Sequence, residues 1–259
     1  MNGLVYLAGG NGPHPVVVFL HGYPGNEKNL DLAQAVRRAG YHAVYFDYRG
    51  SWGTAGTFSF KNGLEDVSAA LTWLRTPENA TRYSVDIGRI ALIGHSFGGW
   101  LALMQAGREP PAVCIAALAA WNVGWAAKRF ANNSEEREAN RSYFRATTES
   151  PSGPIKADAD QLMQEMVRNS EAWDYLGQSF ALGHHALFLA GATRDTADED
   201  AAMHARLAEA MAAAGMQSPS HLTFDDDHSF SANRDALAKA LVRWLNSDCA
   251  ARQRSEAVR

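Results

Sequence analysis

Ser96 stands in the stretch GHSFGG, residues 94 to 99, with a glycine two positions to either side. Glycines at these places let a strand turn sharply into a helix and hold a hydroxyl out in a strained, exposed position. The pattern is short, and a Gly- and Ser-rich turn without chemistry also shows it. A serine hydroxyl is a poor nucleophile at neutral pH. It needs a histidine to take its proton and a carboxylate to set that imidazole's tautomer and stabilise its cation. Both occur downstream: Asp195, three residues past LFLAGA, and His228, a few residues past HLTF. Serine, acid and histidine in this order, each after an apolar run, coincide far less often than a lone GxSxG.

Attack on a carbonyl also creates an oxyanion, which needs two hydrogen-bond donors. One expected donor is the backbone N–H of Phe97, directly after Ser96 at the start of a helix whose dipole helps. The other comes from the loop HGYPGN, residues 21 to 26; Pro24 has no N–H, which leaves Tyr23.

Competing residues are present for each role. Asp198 and Asp225 to Asp227 are alternatives to Asp195, which position favours. The triple aspartate reads as a solvated turn or a weak cation site, and it lacks the alternating oxygen ligands of a calcium loop. Among the histidines, His228 lies in a loop after the last strand, and His21 and His95 are expected to brace the oxyanion loop and the elbow. His184, His185, His204 and His221 read as surface or strand-flanking residues. Trp52, Phe58 and Phe60 follow the second long strand, and Trp121 and Trp125 stand at the entrance of a long insertion. They either shape a pocket for an apolar acyl or aromatic group or pack the insertion against the core, with no preference between the two.

The elements that must carry these residues are legible as apolar runs. Residues 15–22, 42–50, 89–96, 112–121, 185–192 and 221–228 read as strands, most of them apolar throughout, as in a parallel sheet covered on both faces. GLVYLAGG near the start reads as a further edge strand. Leu64, Val67, Leu71 and Leu74 recur at helical spacing, as do Met203, Leu207, Met211 and Ala214, and then Leu237, Leu241, Trp244 and Leu245. Alternating strands and helices imply an α/β fold with a mostly parallel central sheet and helices on both faces. In such a sheet, sites collect beyond the carboxyl ends of the strands. Residues 122–184 interrupt the rhythm and read as a helical cap inserted into a core formed by 1–121 and 185–259. The alternative is a charge-rich linker over Asn132 to Asp160.

Composition narrows the partners. A chain of 259 residues, 46% of them hydrophobic, is long enough for one large core. A net charge of -4 offers no basic footprint for nucleic acid, and no Lys/Arg-rich amphipathic stretch points to a membrane. Small molecules are the expected partners, and no metal or organic cofactor is implied. Cys114 and Cys249 are expected to be one buried and one surface thiol. The N-terminus lacks the charged and apolar regions of a signal peptide, which predicts a cytoplasmic chain.

Taken in chain order, the motifs resemble those of the α/β-hydrolases. FLHGYPGN resembles the oxyanion loop, FDYRGSWGTAG the loop after the next strand, GHSFGG the nucleophile elbow, GATRDTAD the acid loop and DDDHSFS the histidine loop. DYRGSWGTAG and the pair Asp195-Thr196 resemble in particular the catalytic domains related to dienelactone hydrolases and prolyl oligopeptidases. Two departures stand out: little precedes the strand before His21, where the resemblance implies an extra antiparallel strand or hairpin, and there is no room for a gating β-propeller. The function expected is a serine hydrolase of small to medium carboxylic esters, with Ser96 as nucleophile. An S9-like exopeptidase or amidase using the same three residues, and a non-catalytic ligand-binding protein on this fold, are the rival readings.

Overall fold

In a computed structural model, which describes residues 1–110, 112, 114–149, 153–195 and 200–257, the apolar runs form one seven-stranded sheet. In chain order the strands are β1 (Gly3–Tyr6), β2 (His14–Leu20), β3 (His42–Phe46), β4 (Val85–His95), β5 (Cys114–Leu118), β6 (Ala186–Ala192) and β7 (Ser220–Phe224). They lie in the order β1-β3-β2-β4-β5-β6-β7, and β1 alone among them runs antiparallel, along β3. GLVYLAGG therefore does supply an antiparallel edge strand.

The helices are α1 (Leu30–Arg38), α2 (Phe60–Arg75), α3 (Pro77–Tyr83), α4 (Phe97–Met104), α5 (Val123–Asn132), α6 (Ser134–Thr148), α7 (Ala159–Arg168), α8 (Ser179–Leu182), α9 (Asp200–Ala213), α10 (Arg234–Trp244) and α11 (Ala250–Ala257). Because side chains alternate along a strand, the central strands feed two apolar layers at once. Val16, Val18 and Leu20 join Leu64, Val67, Leu101 and Leu207 on one face of the sheet. Val17 and Phe19 join Leu32, Val36, Leu237 and Leu241 on the other.

The segment 122–184 folds as helices α5 to α8 with a 3-10 turn at Tyr175–Gln178. Its charged stretch is not a linker: Asn133 caps α6 by accepting from the N–H groups of Glu135 and Glu136, and Phe144 of α6 is fully buried. The segment is tied back to the loop after β3. Ser51 bridges Ile155, Trp52 N–H donates to Pro154 O at 2.8 Å, and Lys156 N–H donates to Gly50 O at 2.7 Å.

The cysteine expectation is corrected. Both cysteines are fully buried, and Cys114 of β5 is disulfide-bonded to Cys249 across 135 residues. The helical path continues from α10 through a π-turn at Leu245–Cys249, so Leu241, Trp244, Leu245 and Cys249 all join the apolar layer containing Cys114. The polar residues around Cys249 hid that inward face.

Candidate active site

Strand β4 ends at His95, and α4 begins at Phe97, which leaves Ser96 as the whole of the turn. Its backbone has φ 56° and ψ −120°, a conformation that an L-residue adopts only under constraint. Three backbone hydrogen bonds impose it: Ser96 N–H donates to Leu118 O at 2.9 Å, while Ser96 O accepts from Trp100 and Trp121 N–H at 3.1 Å each. At about 1 kcal/mol apiece they offset a strain of about 1–3 kcal/mol. The flanking glycines are required for close approach: a Cβ on Gly94 would lie 1.9 Å from Gly98 O, and one on Gly98 would lie 2.0 Å from Leu20 O.

Asp195 and His228 meet beside this turn. His228 Nδ1 donates to Asp195 Oδ2, the carboxylate side chain 5% exposed and the imidazole 34%. That bond assigns the Nδ1–H tautomer to the neutral ring and leaves Nε2 as its basic nitrogen. Ser96 Oγ makes no hydrogen bond among the described residues; such contacts tighten when substrate binds. His95 connects the elbow to the histidine loop. Its Nε2–H donates to His228 O at 2.8 Å, and the two rings stand 4.7 Å apart.

The triple aspartate divides its roles. Asp226 is fully buried and organises the histidine loop, accepting from Asp227 N–H (2.9 Å), Ala232 N–H (3.1 Å) and Asn233 Nδ2 (2.9 Å). Those bonds hold its carboxyl below the usual range against the opposing effect of burial. Asp227 caps the N–H groups of Ser229 and Ser231, and Asp225 is exposed beside Arg194. The reading as a solvated turn or cation site is thus corrected for Asp226. Asp198 falls outside the described residues.

The loop after β2 runs directly beside Ser96, since a Cβ on Gly22 would lie 3.1 Å from Ser96 Cβ. Among the described residues the backbone N–H groups of Tyr23 and Phe97 donate to no protein acceptor; that of Phe97 is at the open first turn of α4. The loop itself is rigidly held. His21 Nδ1–H donates to Gly22 O at 2.7 Å, Tyr48 O–H donates to His21 O at 2.9 Å, and Trp52 Nε1–H donates to Pro24 O at 2.8 Å. Trp52 thereby serves the loop, with Lys28 Nζ 4.6 Å above its ring.

The other aromatic candidates separate by burial. Phe58 is 2% exposed and packs against Tyr23, Tyr48 and Phe97, and Phe60 is fully enclosed, so both act here as core. Trp121 and Trp125 are half-buried and line a cavity of about 120 Å³ together with Arg129, Phe130 and Ala139. Sequence reading passed over Tyr143, Phe144 and Thr147 of α6, which surround the Tyr23 side chain, and nothing local marks them. It also read His204 as a surface or strand-flanking residue. His204 is fully buried, at the Ala120 N–H, because α9 turns it inward between β6 and the turn after β5.

Residues 17–240 match the sequence profile of the Alpha/beta hydrolase family. The chain belongs to the α/β-hydrolase family. An uncharacterised protein of Mycobacterium tuberculosis is 33% identical over 111 residues, 42% of this chain and 37% of that protein. The chain thus matches little more than a third of the length of this curated relative. A solved structure described as a lipase in open form has a TM-score of 0.70 at 15% identity, covering 95% of this α/β-hydrolase and 94% of that chain. An esterase of Pyrococcus furiosus has a TM-score of 0.62 at 17% identity, covering 90% and 82%. At these identities the likeness establishes the fold, and family membership supports a hydrolytic role.

Buried imidazoles give this α/β-hydrolase an acid-sensitive interior. Burial, the largest cause, lowers the pKa of His21 to about 4 and of His95 and His204 to about 3. In the unfolded chain each titrates near its ordinary 6.5, so below that pH the unfolded state binds more protons. Stability is therefore full above pH 6.5 and is lost as pH falls, by up to about 1.4 kcal/mol per unit and per histidine. The melting midpoint is expected to drop steeply from about pH 6.5 to about pH 4. A flat profile over that interval would contradict the neutral buried state.

Proposed function

We propose that this α/β-hydrolase cleaves small to medium carboxylic esters through an acyl-enzyme on Ser96. As Ser96 Oγ adds to the ester carbonyl carbon, His228 Nε2 takes its proton, and the carbonyl oxygen becomes an oxyanion held by the N–H groups of Tyr23 and Phe97. Collapse of the intermediate expels the alkoxide, which receives the proton from His228. Water then adds to the acyl carbon, giving its proton to His228, and Ser96 leaves as the reprotonated hydroxyl. Asp195 keeps His228 in the Nδ1–H tautomer and stabilises the imidazolium.

The observation that carries this reading is the hydrogen bond from His228 Nδ1 to Asp195, set beside a serine at φ 56° between β4 and α4. A role confined to ligand binding has no physical need for that relay. The disulfide favours an oxidising compartment over the cytoplasm, because such bridges persist there.

Covalent labelling with a fluorophosphonate probe, followed by peptide mapping, tests the reading. Phosphonylation at Ser96 is expected. A chain shown by circular dichroism to be folded that takes no label, or is labelled elsewhere, refutes it.

A further inference from the structure

Tyr23 enters the mechanism through its backbone, yet its side chain and its carbonyl are both held by one helix of the inserted segment. The carbonyl accepts from Tyr143 O–H at 3.3 Å. The ring lies 5.8 Å from that of Tyr143 and 5.4 Å from that of Phe144, with Phe58 of the core behind it at 5.5 Å. The phenol oxygen meets Thr147 Oγ1. Thr147 commits its own proton to Phe144 O at 2.9 Å, so its oxygen accepts from Tyr23 O–H. Burial pushes the Tyr23 phenol well up from its ordinary value, which keeps that donor protonated.

Helix α6 is a firm support for this clasp. Phe144 is buried in the main apolar layer, Arg141 Nε pairs with Asp160 of α7 at 2.9 Å, and Arg137 Nε donates to Phe130 O of α5 at 2.8 Å. On the other side, Trp52 Nε1 holds Pro24 O, so the backbone at Tyr23 is constrained from both directions. Holding the ring and the carbonyl fixes the Cα–Cβ direction and ψ of Tyr23 and so places its nitrogen, while His21 Nδ1–H, donating to Gly22 O at 2.7 Å, holds the peptide plane that carries the N–H.

We propose that Tyr143 and Thr147 are positioning residues for the oxyanion donor: through the Tyr23 side chain and carbonyl they aim the Tyr23 N–H, so that packing of α6 completes the oxyanion hole. This rests on the reading of Ser96 as nucleophile and Tyr23 as donor. A group that acts only in aiming a transition-state contact affects turnover and leaves ground-state binding nearly untouched.

The test uses Tyr143→Phe, which keeps the ring, and Thr147→Val, which keeps the shape, with p-nitrophenyl butyrate as substrate. Each is expected to lower kcat about tenfold with KM and the melting midpoint nearly unchanged, and to slow fluorophosphonate labelling in parallel. Thr147→Ser, which retains the hydroxyl, is expected to restore kcat. Wild-type kcat in both variants, or a loss expressed in KM alone, overturns the proposal. If Thr147→Val does not fold, Tyr143→Phe decides by itself. Hydrolysis that survives in Ser96→Ala would mean that the underlying reading has failed, whereas a dead Ser96→Ala with fully active clasp variants would mean that only this inference has.

Discussion

Ser96→Ala is expected to abolish ester turnover, lowering kcat by a factor on the order of 10⁶, with the melting midpoint unchanged. The backbone bonds that impose the turn run through Ser96 N and O, and none uses Oγ. Alanine has the same Cβ, so the strain at φ 56° and its compensation are both retained. The substitution thus removes the hydroxyl while the scaffold stands. Residual catalysis from the oxyanion donors and substrate binding sets a floor of about 10³–10⁴ over water. Steady-state hydrolysis by purified variant and wild type, with thermal melts of both, is the measurement. A folded variant with undiminished turnover would remove Ser96 from the reaction.

Asp195→Asn is expected to cost about 10⁴ in kcat with little effect on folding. The carboxylate accepts the His228 Nδ1–H; an amide oriented to donate there would instead favour the opposite tautomer, with the proton on the nitrogen that should be basic. The comparison with its neighbours makes the test specific. Asp225 is exposed and faces Arg194, so Asp225→Asn is expected to leave kcat unchanged. Asp226 is fully buried under three donors from its own loop and from Arg194, so its replacement acts first on stability. Full kcat in Asp195→Asn would place the acid elsewhere, with Asp198 the first residue to try.

Much of this arrangement was legible because it is local. Buried parallel strands need apolar residues on both faces, so VVVFL and IALIG stood out as continuous runs. The elbow depends on backbones approaching within reach at Gly94 and Gly98, a demand that only glycine meets and that five consecutive residues display. Helix α2 declared itself by a repeat of three and four. Where an element's inward face was diluted by polar neighbours, reading failed: His204 on the alanine-rich α9 and Cys249 after α10 both looked exposed and are enclosed.

The tertiary structure decided which distant groups meet. Position along the chain favours Asp195 over Asp226 but does not bring its carboxylate to the imidazole. The parallel pairing of β6 with β7 does, by bringing the loop after one strand against the loop after the other. The same holds for the disulfide, which needs the register of β5 under the C-terminal helices, and for the grip of α6 on Tyr23, more than a hundred residues away. By itself the sequence determined the elements, the strained turn and the order of reactive groups along the chain, because periodicity and glycine placement act between near neighbours. Sheet order and helix packing decided the partners, because those contacts are chosen by shape and burial between segments that carry no mark of one another.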